Sequence, residues 1–351
     1  MKRRLVFLIA FALLCVFCFS GCDACTTYSE LNVNNAYYGG TTEAPTGYQE
    51  TLTYKVEYNA SDYNAISETL EQNDSVSFSF SNGFYQSLLK IEPSFPQEIQ
   101  SDILNDLAET QMQAYHLTTT FSIDVNYTVG ETEYEHTDTI TTESWFCSSS
   151  LKYAPVYTKT NSDYTVLVYS GENSSPVAMK TSSETKYSKN KYQIKFEYEE
   201  LDEQGEPTLI TQNREYDYKF KTITDNSMLL FVLRNLPINT NSSEGLYTVA
   251  PNYGQFKMLA VNNYTTVTKN LTVSSNGNSQ NVDLSLTQYR FRINEQSTAG
   301  TIQSVFIQNN VENSPLPNKA LPVMYVEPLT TYGSYLPMGS LVYTLTSVDI
   351  Y

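Results

Sequence analysis

Strict alternation of apolar and polar residues runs through most of this chain and restricts it to strands. Leu52, Tyr54, Val56 and Tyr58 alternate with Thr51, Thr53, Lys55 and Glu57, the pattern of a strand with one buried face. Val76, Phe78 and Phe80 make a second run, which Asn82-Gly83 is expected to end. Phe121, Ile123, Val125, Tyr127 and Val129 alternate with Ser122, Asp124, Asn126 and Thr128; Gly130 starts a turn, and residues 134–146 return. Tyr164, Val166 and Val168 form another run after Pro155 and Asn161. Tyr192, Ile194, Phe196 and Tyr198 share one face against Lys191, Gln193, Lys195 and Glu197, and a loop over 202–207 leads to Tyr216, Tyr218 and Phe220, which predicts a hairpin. The 29 tyrosines suit this architecture, because aromatic and β-branched side chains pack well on a pleated, half-buried surface.

Later in the chain the alternation changes phase. Leu271 to Val273, a turn at Ser275–Asn278 and residues 282–293 predict a second hairpin. Val282, Leu284 and Leu286 occupy even positions, whereas Tyr289, Phe291 and Ile293 occupy odd ones, which predicts a β-bulge near Thr287–Gln288. The last strand, residues 341–350, shifts in the same way after Thr346, and Asn309 to Pro322 reads as a loop.

Helical signals are few. Ser61 or Asp62 caps a short candidate ending near Glu71. The long candidate is Pro96 to Tyr115, with Ser94 as its cap. Ile99, Ile103, Leu107, Met112 and Tyr115 lie near one face, and Glu98, Asp102, Asp106 and Glu109 on another. Such a stripe packs against a sheet. Ser227 to Asn235 (SMLLFVLRN) is the most apolar stretch after the N-terminus; its length predicts a buried strand or helix rather than a membrane span. The expected fold is mainly β: a large curved antiparallel sheet, half-barrel-like, with one or two helices. Such a sheet with a helix in its mouth resembles the half-barrel of periplasmic lipoprotein carriers (LolA-like proteins). The resemblance is one of architecture, with no motif matched residue by residue, and it implies an apolar ligand on the sheet's inner face.

The N-terminus carries an address. Lys2, Arg3 and Arg4 precede an apolar run from Leu5 to Phe19, too short for a comfortable span and of the right length for a secretory signal. The run closes on Phe19-Ser20-Gly21-Cys22, which resembles the lipobox of bacterial lipoproteins with a type II signal peptide, although Phe19 stands where that family usually has Leu. The resemblance implies cleavage after Gly21 and a diacylglycerol, of the palmitate class, on Cys22. Two acyl chains hold a protein stably at a membrane where one does not. An ordinary cleaved signal or a short uncleaved anchor is the alternative. The expected organisation is a signal peptide over 1–21, a flexible tether over 22–49 rich in Gly, Thr, Asn and Pro, and a β-rich extracytoplasmic domain over 50–351, as one unit or two subdomains.

Charge and cysteine content narrow the partners. Removing the signal takes three of the 21 Lys and Arg and none of the 38 Asp and Glu, moving the net charge from −17 to −20. A chain this acidic is not built for nucleic acid, whose phosphates require a basic surface. It also leaves membrane attachment to the lipid. Of five cysteines, Cys15 and Cys18 leave with the signal and Cys22 is the anchor. Cys25 and Cys147 are the remaining pair, and whether they bridge is open. Cys147, beside Trp145 and Phe146, reads as a buried small apolar residue.

Catalytic and metal signatures are not expected. The only histidines are His116, read as a charge at the end of the long helix, and His136, read as exposed within a strand. Ser-x-x-Lys occurs at Ser87–Lys90, Ser149–Lys152 and Ser183–Lys186, without the companion motifs of penicillin-recognising enzymes. Glu199, Glu200, Asp202 and Glu203 crowd a hairpin tip, as solvated acids do. The expectation is therefore a non-enzymatic, cofactor-free lipoprotein on the extracytoplasmic side of a bacterial cell membrane, with a binding role. The ligand is a lipid or other apolar molecule in the curved sheet. The alternative is a structural or adhesive protein recognising glycan or protein partners through tyrosine-rich outer strands.

Overall fold

The computed structural model describes residues 29–30, 46–59, 76–99, 113–129, 131–147, 153–170, 173–188, 191–201, 207–217, 224–234, 244–250, 254–293, 302–308, 316, 321–330 and 337–351. The lipobox with Cys22, the tether cysteine Cys25, the helix candidate over 61–71 and most of the one over 96–115 lie outside them. The described strands are β1 (Ser29–Glu30), β2 (Gln49–Asn59), β3 (Val76–Glu92), β4 (Ala114–Val129), β5 (Thr132–Cys147), β6 (Pro155–Ser170), β7 (Asn173–Tyr187) and β8 (Lys191–Leu201). They continue with β9 (Pro207–Asp217), β10 (Thr224–Asp225), β11 (Glu244–Ala250), β12 (Gly254–Ser275), β13 (Asn278–Ile293), β14 (Ile302–Gln308), β15 (Pro322–Thr330) and β16 (Pro337–Ile350).

All belong to one sheet ordered β1-β11-β12-β13-β14-β15-β16-β2-β3-β4-β5-β6-β7-β8-β9, with β10 beside β11. Nearly every long pairing is antiparallel between strands adjacent in sequence. The exception joins the first long strand to the last: β2 pairs with β16 from Glu50↔Ile350 to Asn59↔Ser340. Two backbone hydrogen bonds between Gln49 and Tyr351 finish that seam. The sheet curls far enough for the ends of β12 and β16 to touch, at Ser274↔Ser347 and Ser275↔Val348. It is thus curved and closed at one end, with β3 to β9 extending as a wing.

Bulges supply the curvature. In β16, Leu345 pairs with Tyr54 and Ser347 with Thr53. The extra residue is Thr346, where the sequence predicts it, and its hydroxyl donates to the Thr53 carbonyl at 3.1 Å. The phase change in β13 is also present, since Leu286 and Thr287 are both buried. Its irregularity sits on the neighbouring strand, where Asn262, Asn263 and Tyr264 of β12 stand opposite Tyr289, while β13 pairs with β14 without interruption.

Two local expectations are corrected. Asn82-Gly83 does not end its strand. β3 continues to Glu92, with Asn82 and Gly83 opposite Ile123 in a bulge. Asn82 takes positive φ, and its amide donates to Asp124 at 2.7 Å. Gly83 lies so close to β2 that a Cβ there would meet the Val56 carbonyl oxygen at 2.1 Å. The end of the long helix candidate is the second: Gln97–Ile99 form a 3-10 turn, but Ala114 and Tyr115 belong to β4 rather than to a helix. Tyr115 is inward-facing in a strand, a role its alternation with Leu117 and Phe121 supports. The Asn276-Gly277 turn joins β12 to β13, both residues at positive φ, the hairpin geometry that matches strand twist.

The main core lies on the inner face. It contains Leu52, Tyr54 and Val56 of β2, Tyr85 and Leu89 of β3, Leu117 and Phe121 of β4, and Tyr325 and Tyr343 of β15 and β16. Tyr85 meets Tyr54 and Tyr343 edge-on, with centroids 5.7 and 5.6 Å apart. Buried phenols need partners: the Tyr54 hydroxyl donates to the Pro322 carbonyl at 2.7 Å, and that of Tyr343 to Glu327 at 3.0 Å. A smaller cluster on the other face gathers Phe95, Ala114, Trp145, Cys147 and Val156.

Candidate functional site

The apolar stretch over 227–235 becomes a plug on the inner face. Asn226–Met228 form a 3-10 turn that leads into a five-residue helix, α1 (Leu229–Leu233). So short a helix has little stability of its own and is held by what it touches. Leu229, Phe231, Val232 and Leu233 are buried in the main core. The Phe231 ring packs among Tyr115, Phe146 and Tyr153, at centroid distances of 6.2, 5.0 and 5.2 Å.

Each end of the plug is tied down by a buried polar contact. At the start, Asp225 accepts from the Ser227 backbone N–H at 2.9 Å and its hydroxyl at 2.6 Å, capping the turn. Tyr187 of β7 donates its phenol to the same carboxylate. The Ser227 and Ser144 hydroxyls lie 2.6 Å apart. Burial pushes the Asp225 carboxyl above the usual carboxylate range, partly countered by the hydrogen bonds from Ser227 and Tyr187. At the other end, Arg234 follows α1 directly and meets Glu50 of β2 in a two-pronged ion pair, Nη1 to Oε1 at 2.5 Å and Nη2 to Oε2 at 3.0 Å. Both side chains are 2 % exposed. The Tyr48 phenol also donates to Glu50, at 3.1 Å.

Between α1 and the sheet remains a cavity of about 10 Å³, lined among others by Glu50, Tyr54, Tyr85, Ser87, Phe231 and Arg234. That is room for roughly one water molecule. Burial pushes the Tyr54 hydroxyl far above its ordinary value, against the pull of Arg234. A ligand larger than a water can enter this slot only if α1 moves.

The histidines are not where the sequence suggests. His116 lies in β4, stacked on Trp145 at 4.0 Å with its Nε2 2.9 Å from Glu143. His136 is half-buried rather than exposed. Its Nδ1 lies 2.8 Å from Asp138 and its Nε2 3.3 Å from Asp163 of β6. Asp138 fills the place where β5 and β6 part, beyond Thr139↔Asp163, and accepts from the Thr165 N–H at 3.0 Å and hydroxyl at 3.1 Å. Its side chain is 1 % exposed, and burial pushes its carboxyl up to about 6, with the hydrogen bonds from His136 and Thr165 opposing. Cys147 is a buried free thiol in the outer cluster, pushed up to about 12 by burial.

Among the described residues, no group of three or more His, Cys, Asp and Glu stands together so as to hold a metal ion, and no helix is long and apolar enough to cross a membrane. Glu50, Asp138, Asp225 and Arg234 escape a motif search. A signal for two of them existed: Glu50 is in phase with Leu52, Tyr54 and Val56, and Asp138 with Ile140, so each carboxylate occupies an inward position.

The tyrosines of the wing belong to the same face as the core. Tyr187, Tyr192 and Tyr216 are cross-strand neighbours on β7, β8 and β9, and the rings of Tyr192 and Tyr216 stack at 5.2 Å. Phe196 and Tyr198 stack beside them at 5.4 Å, both half-buried. The opposite face of β8 carries Lys191, Gln193, Lys195 and Glu197.

No protein-family model, no curated protein and no solved structure matches this chain.

Proposed function

We propose that the protein is a lipid-anchored extracytoplasmic binding protein, held at a bacterial cell membrane through Cys22, that carries a lipid or other apolar ligand on its curved sheet and catalyses no reaction. The observation that carries this reading is the plug: a five-residue helix laid on part of the inner face, buried in its apolar core and tied by polar contacts at both ends. A permanent core element gains little from a buried ion pair, which apolar residues of similar volume replace at no loss. A movable cover gains from polar ties, because each tied group recovers hydrogen bonds to water when the cover opens. The lipobox and the acidic body agree with a protein tethered by its lipid and projecting from the membrane.

Native mass spectrometry tests this on the full chain with Cys22→Ser, purified without detergent. The expected result is an added mass that extracts into organic solvent, either as isolated or after incubation with membrane lipid extract. A bare polypeptide mass under both conditions overturns the reading.

The half-buried aromatic rows at the wing favour a second reading, recognition of a glycan or protein partner. They lie beside β9, which pairs on one side only among the described residues and exposes Leu209 to 64 %. Glycan-array binding that is lost in Tyr198→Ala and Tyr216→Ala, with the lipid mass absent, would place this reading first.

A further inference from the structure

We infer that the slot under α1 is a site for a cationic amphiphile, an alkyl chain ending in an ammonium or guanidinium group, and that α1 is the occupant such a ligand displaces. The inference rests on the carrier reading above and adds the ligand's chemistry. α1 and its flanking residue are an apolar run ended by a cation: Leu229, Phe231, Val232 and Leu233, then Arg234. The slot that receives them has the complementary order. Leu52, Tyr54, Leu89 and Leu117 form its apolar wall, and Glu50 closes it.

When α1 withdraws, Arg234 leaves with it, because the guanidinium belongs to the plug. Glu50 stays, because it is an inward residue of β2, paired through the backbone with Ile350 and Leu89. Opening lets water reach Glu50, but a ligand that fills the slot buries it again, as in the closed protein where it is 2 % exposed. A carboxylate buried without the counter-charge that Arg234 supplies is strongly destabilising. The ligand that replaces α1 must therefore bring a positive group to Glu50 along with an apolar chain. An anionic lipid would set its own charge against that carboxylate and is disfavoured by the same argument. The negative charge of the whole chain, −17, works in the same direction at long range.

The test uses the full chain with Cys22→Ser, dodecylguanidinium as the cationic probe and laurate as the anionic one. Both are kept below their micelle concentrations and in about 0.5 M salt, where the general attraction of an acidic body is screened. Affinity is read by calorimetry, and the state of α1 by hydrogen exchange of the peptide spanning residues 225–234. The expected result is that the cationic probe binds at least tenfold more tightly than laurate. Its binding speeds exchange of the α1 amides at least tenfold, and Glu50→Gln reduces the preference to less than twofold. Binding of the cationic probe with α1 exchange unchanged overturns the plug as occupant. Equal or tighter binding of laurate overturns the cationic class. In both cases an apolar carrier survives. If neither probe binds, this inference falls, and the carrier reading stands or falls by the mass measurement above. Should Glu50→Gln fold poorly, the comparison of the two probes on the unsubstituted site still decides.

Discussion

Glu50 and Arg234 are 184 positions apart and meet inside the protein in a two-pronged ion pair, at 2.5 and 3.0 Å. They join the first long strand to the residue that ends α1. Removing one partner leaves the other charge buried, at a cost of about 3–5 kcal/mol. Removing both leaves an apolar gap that repacks. Arg234→Met alone is therefore expected to lower stability by about 3 kcal/mol or more, and Glu50→Leu with Arg234→Met by less than either single change. Urea unfolding of the three variants checks this. Single and double effects that simply add would mean that the pair is not coupled.

Asp138 gives the protein a pH dependence with a definite sign. Its carboxyl titrates near 6 in the folded protein against 3.8 for an unperturbed one. Between these values the folded chain holds a proton that the unfolded chain has released. The contribution of this group is present in full below about 4 and is lost as pH rises through about 6, at most on the order of 3 kcal/mol. Among the described residues, the charged or titratable groups around it are His136 on its own strand, Asp163 on β6, and Lys180 on β7, which lies 3.7 Å from Asp163. In Asp138→Asn the decline in stability between pH 4 and 6 is expected to shrink by the share of this group. Unfolding midpoints measured at half-unit steps of pH will show it. An unchanged slope would mean that another acid sets the dependence.

Much of the fold was legible because the alternation is strong where one face is buried. β2, β4, β8 and β16 follow their apolar phase, and the bulge at Thr346 appears as a parity change between Leu345 and Val348. Legibility failed where the signal was ambiguous. β7 reads NSSPVAMKTSSETKY, and its buried Ser183 and Thr185, flanked by Thr160 and Thr158 on one side and by Phe196 and Ile194 on the other, hold inward positions that apolar periodicity does not detect. Asn82-Gly83 marks turns and bulges alike, and the sheet chose the bulge because Phe84 and Tyr85 continue the pairing with β2. The candidate site was less legible. Glu50 and Arg234 are linked only by the closure of the sheet, which no local pattern encodes.

Gly83 is where two backbones approach too closely for any side chain. A Cβ would lie 2.1 Å from the Val56 carbonyl oxygen and 2.8 Å from its carbon, both backbone atoms that cannot rotate away. Gly83→Ala must push β2 and β3 apart beside the bulge, at an expected cost of about 2 kcal/mol or more. Ser81→Ala, at an exposed position two residues earlier, is expected within about 0.5 kcal/mol of the parent. Equal unfolding midpoints for the two variants would show that the strands separate without penalty.

Cys147 is expected to resist alkylation until the protein unfolds. Its thiol sits among Phe95, Ala114, Trp145 and Val156, and burial holds its pKa at about 12. At pH 8 the thiolate, the reactive form, is about one molecule in ten thousand, and the attacking reagent has no path to it. Peptide mapping after iodoacetamide treatment should find Cys147 unmodified in native protein and fully modified in urea. The two replacements separate size from polarity. Cys147→Ala leaves a small void, whereas Cys147→Ser puts a hydroxyl into the same apolar pocket, where lack of a partner costs about 1–3 kcal/mol. Serine is therefore expected to destabilise more than alanine, despite its closer match in volume. If serine proved the milder change, the pocket would have to supply a hydrogen-bond partner, and its apolar character would be refuted.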